Sequence, residues 1–575
     1  MRSCIFFSST IFALTVSAAP LLSESTSIHP RYNGEVPRKS DVVFSTRFKN
    51  LNARQVAKNF GATRIEWVYS TDREFVSQLK SIAPWYGGAL NSSSPLPNDK
   101  GIALDFDGKS IVAPWMLSWG SKWISTTDRR TVDFLKRTAQ EYLRIGANSI
   151  QIDDWRLQYA ASDWGGDFSD SAIAGFREYL KHHPDSAQLH RLGVTDLDNF
   201  DYRLFLKSHY SINSTSEYRK KYSSLPTTPL WKEYLKSSVI SYFQDLTLFL
   251  TATGKRHIPL SFNLFRFIDP DERRPEFDIL PFIDYALTET EIDDLNSVIL
   301  QSATYRALGL GFVPSILPRS KAENRRAIAL LYSLGNQPLV PWDINVNGTR
   351  FYGTTDDYAD LFRFVRNNQR LFDDYESAAV VGIVVQVQNY RHDQTLALVG
   401  DFADANVPFA LVLTGGSKRH FPLTSRTLQK FKALAIPNGL ADFSDSEQKI
   451  LLKSGVPILT PDRLTAQFLK RLSPFAYSTS SPIRLIPRAR ESNPNILVLH
   501  VLRSNSKDLA RNSSSCTHRV GLKSEYFTGY SMKATWRPLN SRPVSLEPDI
   551  DPSCVNFVLD DCAEWGVLEV TMRAL

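Results

Sequence analysis

The stretch Gly146-Ala147-Asn148-Ser149-Ile150-Gln151-Ile152-Asp153-Asp154-Trp155 decides how the first part of the chain is read. It follows an amphipathic pattern at 130–145, runs through β-favouring residues and stops on two acids and a tryptophan. Side chains alternate along a strand, so if Ile150 and Ile152 face covering helices, Gln151 and Asp153 face the other way. A helix-covered strand that ends in acids is what a parallel α/β sheet presents at its carboxyl edge.

Outward from this strand, β-rich runs recur at 42–48, 63–70, 83–90, 258–264, 284–289, 311–317 and 338–343, with helical patterns such as 52–60, 73–82 and 322–334 between them. With 149–154 the count reaches eight, which predicts a closed (β/α)8 TIM barrel at 40–375. The interval after the fourth run is too long for one connection and predicts a helical insertion at about 156–256. Beyond the barrel, runs at 378–387, 409–413, 433–436 and 457–459 alternate with helical patterns at 393–406 and 445–454. They predict a small flavodoxin-like α/β domain at 376–480. Runs at 496–502, 555–559 and 565–572, separated by Ser, Pro, Asn and Arg, predict a C-terminal β-sandwich at 481–575.

Composition excludes several classes. With 42% hydrophobic and 22% charged residues the chain is not disordered, collagenous or a multi-span membrane protein. The net charge of +7 contains no long basic run and lends only weak support to nucleic acid or anionic polysaccharide, so no nucleic-acid partner is predicted. Arg2, an apolar run at 4–16 and Ser17-Ala18-Ala19-Pro20 predict a signal peptide at 1–18, cleavage after Ala18 and a secreted product with no membrane span. Sequons at Asn91, Asn213, Asn347 and Asn512 fit a secretory route. With Cys4 removed, Cys516, Cys554 and Cys562 predict one disulfide and one free thiol, with the pairing open. No Cys/His cluster has metal-ligand spacing, and Gly415-Gly416 lacks the spacing of a phosphate loop. No metal or cofactor is predicted.

In a barrel the chemistry belongs at the carboxyl ends of the strands. Asp153 is the first candidate for a catalytic carboxylate, with Asp154 beside it. The sixth run ends Leu287-Thr288-Glu289-Thr290-Glu291. With Tyr285 and Leu287 taken as outward, alternation turns Thr288 inward, and Glu289 reaches the axis only through a bulge; Glu289 is preferred to Glu291. Glu66, Asn263 and Asp343 are candidate substrate-binding residues, and Trp67, Trp85, Trp115, Trp155 and Trp342 are candidate platforms for sugar rings. The competing readings are that such acids cap the next helix or pair with arginine, and that such tryptophans are loop core. Several acids at separate strand ends favour glycosidic cleavage, which needs two carboxyl groups across one bond. The rivals are a carbohydrate-binding protein on a barrel without catalysis and a secreted interaction protein that uses the barrel as a scaffold.

The succession of barrel, α/β domain and β-sandwich, over roughly 41–575, resembles the family 42 β-galactosidases and their relatives, and the strand 146–154 resembles their fourth strand. In that family an Asn-Glu pair follows the fourth strand and a Glu the seventh. This chain has Asp153-Asp154 and Leu317-Pro318-Arg319 instead. Acids on strands four and six resemble the α-galactosidase clan, and that resemblance implies Asp153 as nucleophile or base and Glu289 as general acid. Only one strand separates the pair, which favours retention of configuration.

Overall fold

The computed structural model describes residues 36–93, 100–118, 120–182, 185–346, 348–373, 375–479, 482–490, 492–503, 517–527, 530–560 and 563–574. The segment 1–18, Trp119, Asn347, Asn512, Cys516 and Cys562 lie outside these residues.

Seven strands form one parallel sheet in sequence order: β1 (Val43–Phe44), β2 (Arg64–Val68), β3 (Trp85–Leu90), β4 (Ser149–Ile152), β5 (Leu260–Phe262), β6 (Tyr285–Thr290) and β7 (Gly311–Ile316). The predicted eighth strand is corrected. Residues 337–340 fill its place through single bonds: Gln337 N–H donates to Phe312 O at 3.3 Å, Leu339 N–H to Pro314 O at 2.8 Å and Val340 N–H to Val43 O at 2.8 Å. One parallel bridge, Val43 to Leu339, closes the ring. Pro338 and Pro341 have no N–H to give a ladder, so regular pairing resumes only at Trp342–Val346, in an antiparallel hairpin with Thr349–Tyr352.

Helices begin where side chains can satisfy the first N–H groups. Asp72, Asp128 and Asp294 cap Arg73–Lys80, Arg129–Arg144 and Leu295–Leu308, and Ser320 forms a capping box with Glu323. Those three aspartates are caps, as the competing reading of strand-end acids requires. Gly146, at φ 89°, turns the chain out of the helix Arg129–Arg144 toward β4.

The insertion after β4 packs Phe168, Phe176, Tyr202, Tyr218 and Trp231 into a core of its own. The helix Thr228–Gly254 joins the two cores: Trp231, Tyr234 and Leu235 sit in the insertion, while Val239, Phe243, Leu246 and Leu250 pack on the barrel. Downstream, four parallel strands run in the order Phe409–Thr414, Val381–Gln386, Ala433–Ala435, Ile458–Leu459. Two antiparallel sheets of six and four strands follow, and they also take in Glu376–Ser377 and Phe475–Thr479 from before residue 481. Cys554 is a buried free thiol on one of these strands. Arg325 with Glu564 and Arg370 with Glu569 tie the barrel helices to this region.

The barrel interior is layered. Ile150 and Ile152 face the helices, as expected, and Ser149, Gln151 and Asp153 face the axis. Tyr285 and Leu287 correct the expectation, because they point inward with Val43, Trp67, Ala89, Val313 and Leu339. Glu289 therefore follows them inward by plain alternation, without a bulge.

Candidate active site

Three inward layers climb the axis. In the lowest, Glu66 accepts from Arg64 Nη2 at 2.9 Å, Ser149 Oγ at 2.9 Å and Tyr285 OH at 3.0 Å. A Cβ on Gly87 would stand 2.0 Å from Glu66 Oε2, so glycine there leaves room for the carboxylate. Trp85 belongs to the same layer: it donates to Ser149 Oγ at 3.1 Å and lies under the Arg64 guanidinium, 3.8 Å from ring to cation. Glu66 and Trp85 thus sit at the amino-terminal ends of the strands, away from Asp153, which corrects their expected place among substrate-binding residues. The middle layer is Gln151, whose amide donates to Leu287 O at 2.9 Å and whose carbonyl accepts from Ser261 Oγ.

The top layer holds the acids. Asp153 Oδ1 accepts from Asn263 Nδ2 at 2.9 Å and from the Asp154 N–H at 3.0 Å, while Oδ2 accepts from Tyr69 OH. Asn263 Oδ1 accepts from Thr288 Oγ1 at 2.9 Å and from the Glu289 N–H at 3.2 Å. Asn263, from the intervening fifth strand, therefore fixes both acid-bearing strands with its two polar ends. It holds the acids, where sequence had it holding substrate.

Asp153, Asp154 and Glu289 each keep part of their surface open. Burial, and next the charge of Asp153, push the Glu289 carboxyl up to about 7, against the pull of Arg47, Asn263 and Arg350. Burial and the charges of Asp153 and Glu289 hold Asp154 well above the usual carboxylate range. The Tyr69 phenol is raised well above its usual value by burial and then by the adjacent Asp153 carboxylate, so it donates its proton to that oxygen without losing it.

Sequence reasoning missed Arg47 and Tyr69. Arg47 is buried, donates to Ser45 Oγ at 2.8 Å and Ser315 Oγ at 3.4 Å, and stacks on Trp67 with its guanidinium carbon 3.2 Å from the ring centroid. It makes no ion pair among the described residues, yet it lies in the field of Glu289, Asp153 and Asp343, which oppose the lowering of its pKa by burial. Its signal was parity: Val43, Ser45 and Arg47 share one face. Tyr69 comes inward because the register of β2 slips after Ile65 and Trp67 takes φ 57°. Trp67, 1% exposed, forms the floor beneath Arg47 and donates to Tyr69 OH at 2.9 Å; it is not an open sugar platform.

The remaining candidates separate. Trp155 is buried in the helix-facing core, which corrects its expected place among the platforms for sugar rings. Glu291 points to solvent and pairs with Arg266 at 3.0 Å, outside the acid cluster. Asp343 is buried at φ 55°, accepts from Tyr352 OH at 3.3 Å and pairs with Arg350 at 3.4 Å. Trp342 is half-buried, edge-on to Tyr352 at 4.6 Å. Trp115 is 50% exposed. Asn91 Nδ2 donates to Tyr69 OH at 3.4 Å, which turns that sequon inward. Trp67, Asp154, Leu157, Arg266 and Asp343 all hold positive φ at this end of the barrel, where strain of order 1–3 kcal/mol each is retained by the surrounding structure. Among the described residues no group of three or more His, Cys, Asp or Glu is placed to hold a metal, and no helix is long and apolar enough to cross a membrane.

No family model matches the chain. Two curated relatives named α-agarase are similar to it: that of Thalassotalea agarivorans is 23% identical over 284 residues and that of Alteromonas agarilytica 24% identical over 306. The alignments take in 46% and 48% of this chain and only 19% and 21% of the relatives, so the chain spans about a fifth of their length. Among solved structures, α-L-fucosidase isoenzyme 2 from Paenibacillus thiaminolyticus is similar over 93% of this chain and 100% of that chain, with a TM-score of 0.61 and 9% identity. At that identity what is shared is the fold.

Proposed function

We propose that this protein is a secreted glycoside hydrolase that cleaves O-glycosidic bonds of an oligo- or polysaccharide with retention, with Asp153 as nucleophile and Glu289 as general acid and base. The observation that carries the reading is the difference between two carboxyls on strands separated by one strand. Asp153 is oriented by three donors and has no cation in contact among the described residues, whereas the Glu289 carboxyl is pushed up to about 7 in a half-buried site. The agarase relatives support this class of reaction, the fucosidase neighbour shares the fold, and the apolar run at 4–16 supports export.

Asp153 Oδ2, with one donor against two on Oδ1, keeps the freer lone pair for the anomeric carbon. As that bond forms, the bond to the leaving oxygen breaks and the Glu289 proton passes to it. The glycosyl ester carries no charge on Asp153. One of the two main causes that raise Glu289 is then gone, and Glu289 becomes the stronger acid whose conjugate base takes a proton from the incoming water. Water attacks the anomeric carbon, and the ester bond to Asp153 breaks with net retention.

The test is turnover of aryl α- and β-glycosides and of polysaccharides including agarose, with proton NMR of the first product anomer. Retention is expected, together with a loss of several orders of magnitude in kcat for Asp153→Asn. Inversion would remove the nucleophile role. Asp153→Asn with a tenth of wild-type turnover would remove Asp153 from catalysis, and no turnover of any glycoside would favour a binding protein.

A further inference from the structure

We propose that Trp115 is a distal subsite that binds a further sugar ring of a polysaccharide chain whose reacting unit lies at Asp153. The inference rests on the glycosidase reading and adds an extended substrate to it.

Trp115 lies in the short turn Pro114–Met116, on the excursion that follows β3. Its indole is 50% exposed and its neighbour Leu117 is 70% exposed, although each is a side chain that folding would bury. The ring is nonetheless held in place. It stands nearly perpendicular to Trp123 at 5.9 Å and to Trp164 at 5.3 Å, and those two meet edge to face at 4.9 Å. The excursion is braced by bridges from Ile102 to Ile124 and from Val112 to Lys122. An aromatic surface that is open and already ordered loses little entropy on binding.

Continuity with the acids identifies the occupant. Trp123, fully buried, donates from Nε1 to Leu157 O at 2.7 Å, and the Leu157 N–H donates to Asp154 O at 3.2 Å. The open indole therefore packs edge to face on the tryptophan that is fixed to the turn carrying Asp153 and Asp154. The other exposed aromatics among the described residues of 36–375 are Phe48, Phe265 and Tyr352, and all three stand on connections at the same end of the barrel. Flat apolar faces spread around acids suit successive pyranose rings, whose C–H faces stack on an indole while their hydroxyls stay in water.

The experiment uses the full chain with Asp153→Asn, which removes turnover while binding is measured, on an array of neutral and acidic polysaccharides that includes agarose. Asp153→Asn is expected to bind at least one of them, Trp115→Ala on that background about tenfold more weakly, and Trp115→Phe to recover most of the difference. Thermal unfolding of each variant shows whether the excursion remains folded. Equal binding with and without Trp115, or binding to no polysaccharide, overturns the subsite. Turnover by the wild-type protein is a separate readout. Turnover with Trp115-independent binding ends this inference and leaves the glycosidase reading; Trp115-dependent binding without turnover of any glycoside ends the glycosidase reading, and with it the reacting unit at Asp153, and leaves Trp115 as a sugar-binding face alone.

Discussion

Replacing Glu289 by glutamine tests the placement of the acids without relying on any substrate. In the folded protein the carboxyl titrates at about 7 against 4.5 for a free glutamate, so between these values the folded state binds more proton than the unfolded chain. Stability attached to Glu289 is therefore fully present below about pH 4.5 and is lost as pH rises through 7. At about 1.4 kcal/mol per pH unit, the shift amounts to roughly 3 kcal/mol. Glutamine keeps the shape and does not ionise, so Glu289→Gln is expected to match the wild type near pH 4.5 and to exceed it by about 3 kcal/mol at pH 8. The assay is calorimetric unfolding of both proteins across pH 4–9, read as the difference between them, in which titrations common to both cancel. Activity moves the opposite way: the wild-type rate falls above pH 7 as the proton leaves, and the variant loses most turnover at every pH. Stability curves that run parallel across this range would show that Glu289 is solvated and ordinary, and the assignment of the proton donor would fall with that result.

Arg47 opposes the upward shift of Glu289, so Arg47→Met is expected to move the alkaline limb of the pH–rate profile above 7; an unmoved limb would exclude electrostatic contact between them. Glu66→Gln leaves the buried Arg64 guanidinium without its carboxylate and is expected to lower stability by about 3 kcal/mol, measured by denaturant unfolding, with kcat of the folded fraction unchanged. Cys554 is expected to react with thiol reagents only after unfolding, and peptide mapping of unreduced protein should then leave Cys516 and Cys562 as the remaining pair. Rapid labelling of the native protein at Cys554 would contradict its burial.

Seven of the eight strands were legible because each pairs a β-rich run with a helical pattern of different period. The eighth was not, because Pro338 and Pro341 look harmless in a short apolar run but remove the donors a parallel ladder needs. The orientation of β6 was illegible for a different reason. Tyr285, Ala286 and Leu287 are all fully buried, since the axis of this barrel is as apolar as its helical shell, with Val43, Ala89, Val313 and Leu339 inside. A strand buried on both faces carries no alternation to read. Only its end breaks the tie: an acid such as Glu289 is better placed at the open mouth of the axis than beneath a helix.

Strand parity also sorts the acids that sequence alone left together. Residues two apart on a strand share a face, so Arg64-Ile65-Glu66 sets opposite charges side by side before any tertiary contact is made, and Glu66 is paired inside the barrel. Asp153 has Gln151 at that position and Glu289 has Leu287, so neither meets a cation on its own strand. Asp343 finds Arg350 across a hairpin, and Glu291 finds Arg266 in solvent. Asp153 and Glu289 are left with hydrogen bonds and the field of cations such as Arg47, which follows β1 and which local sequence cannot connect to β4 or β6. A carboxylate that folding positions but does not neutralise keeps its charge or its proton available for a substrate. That property, more than position at a strand end, separates these two from the acids that cap helices or close ion pairs.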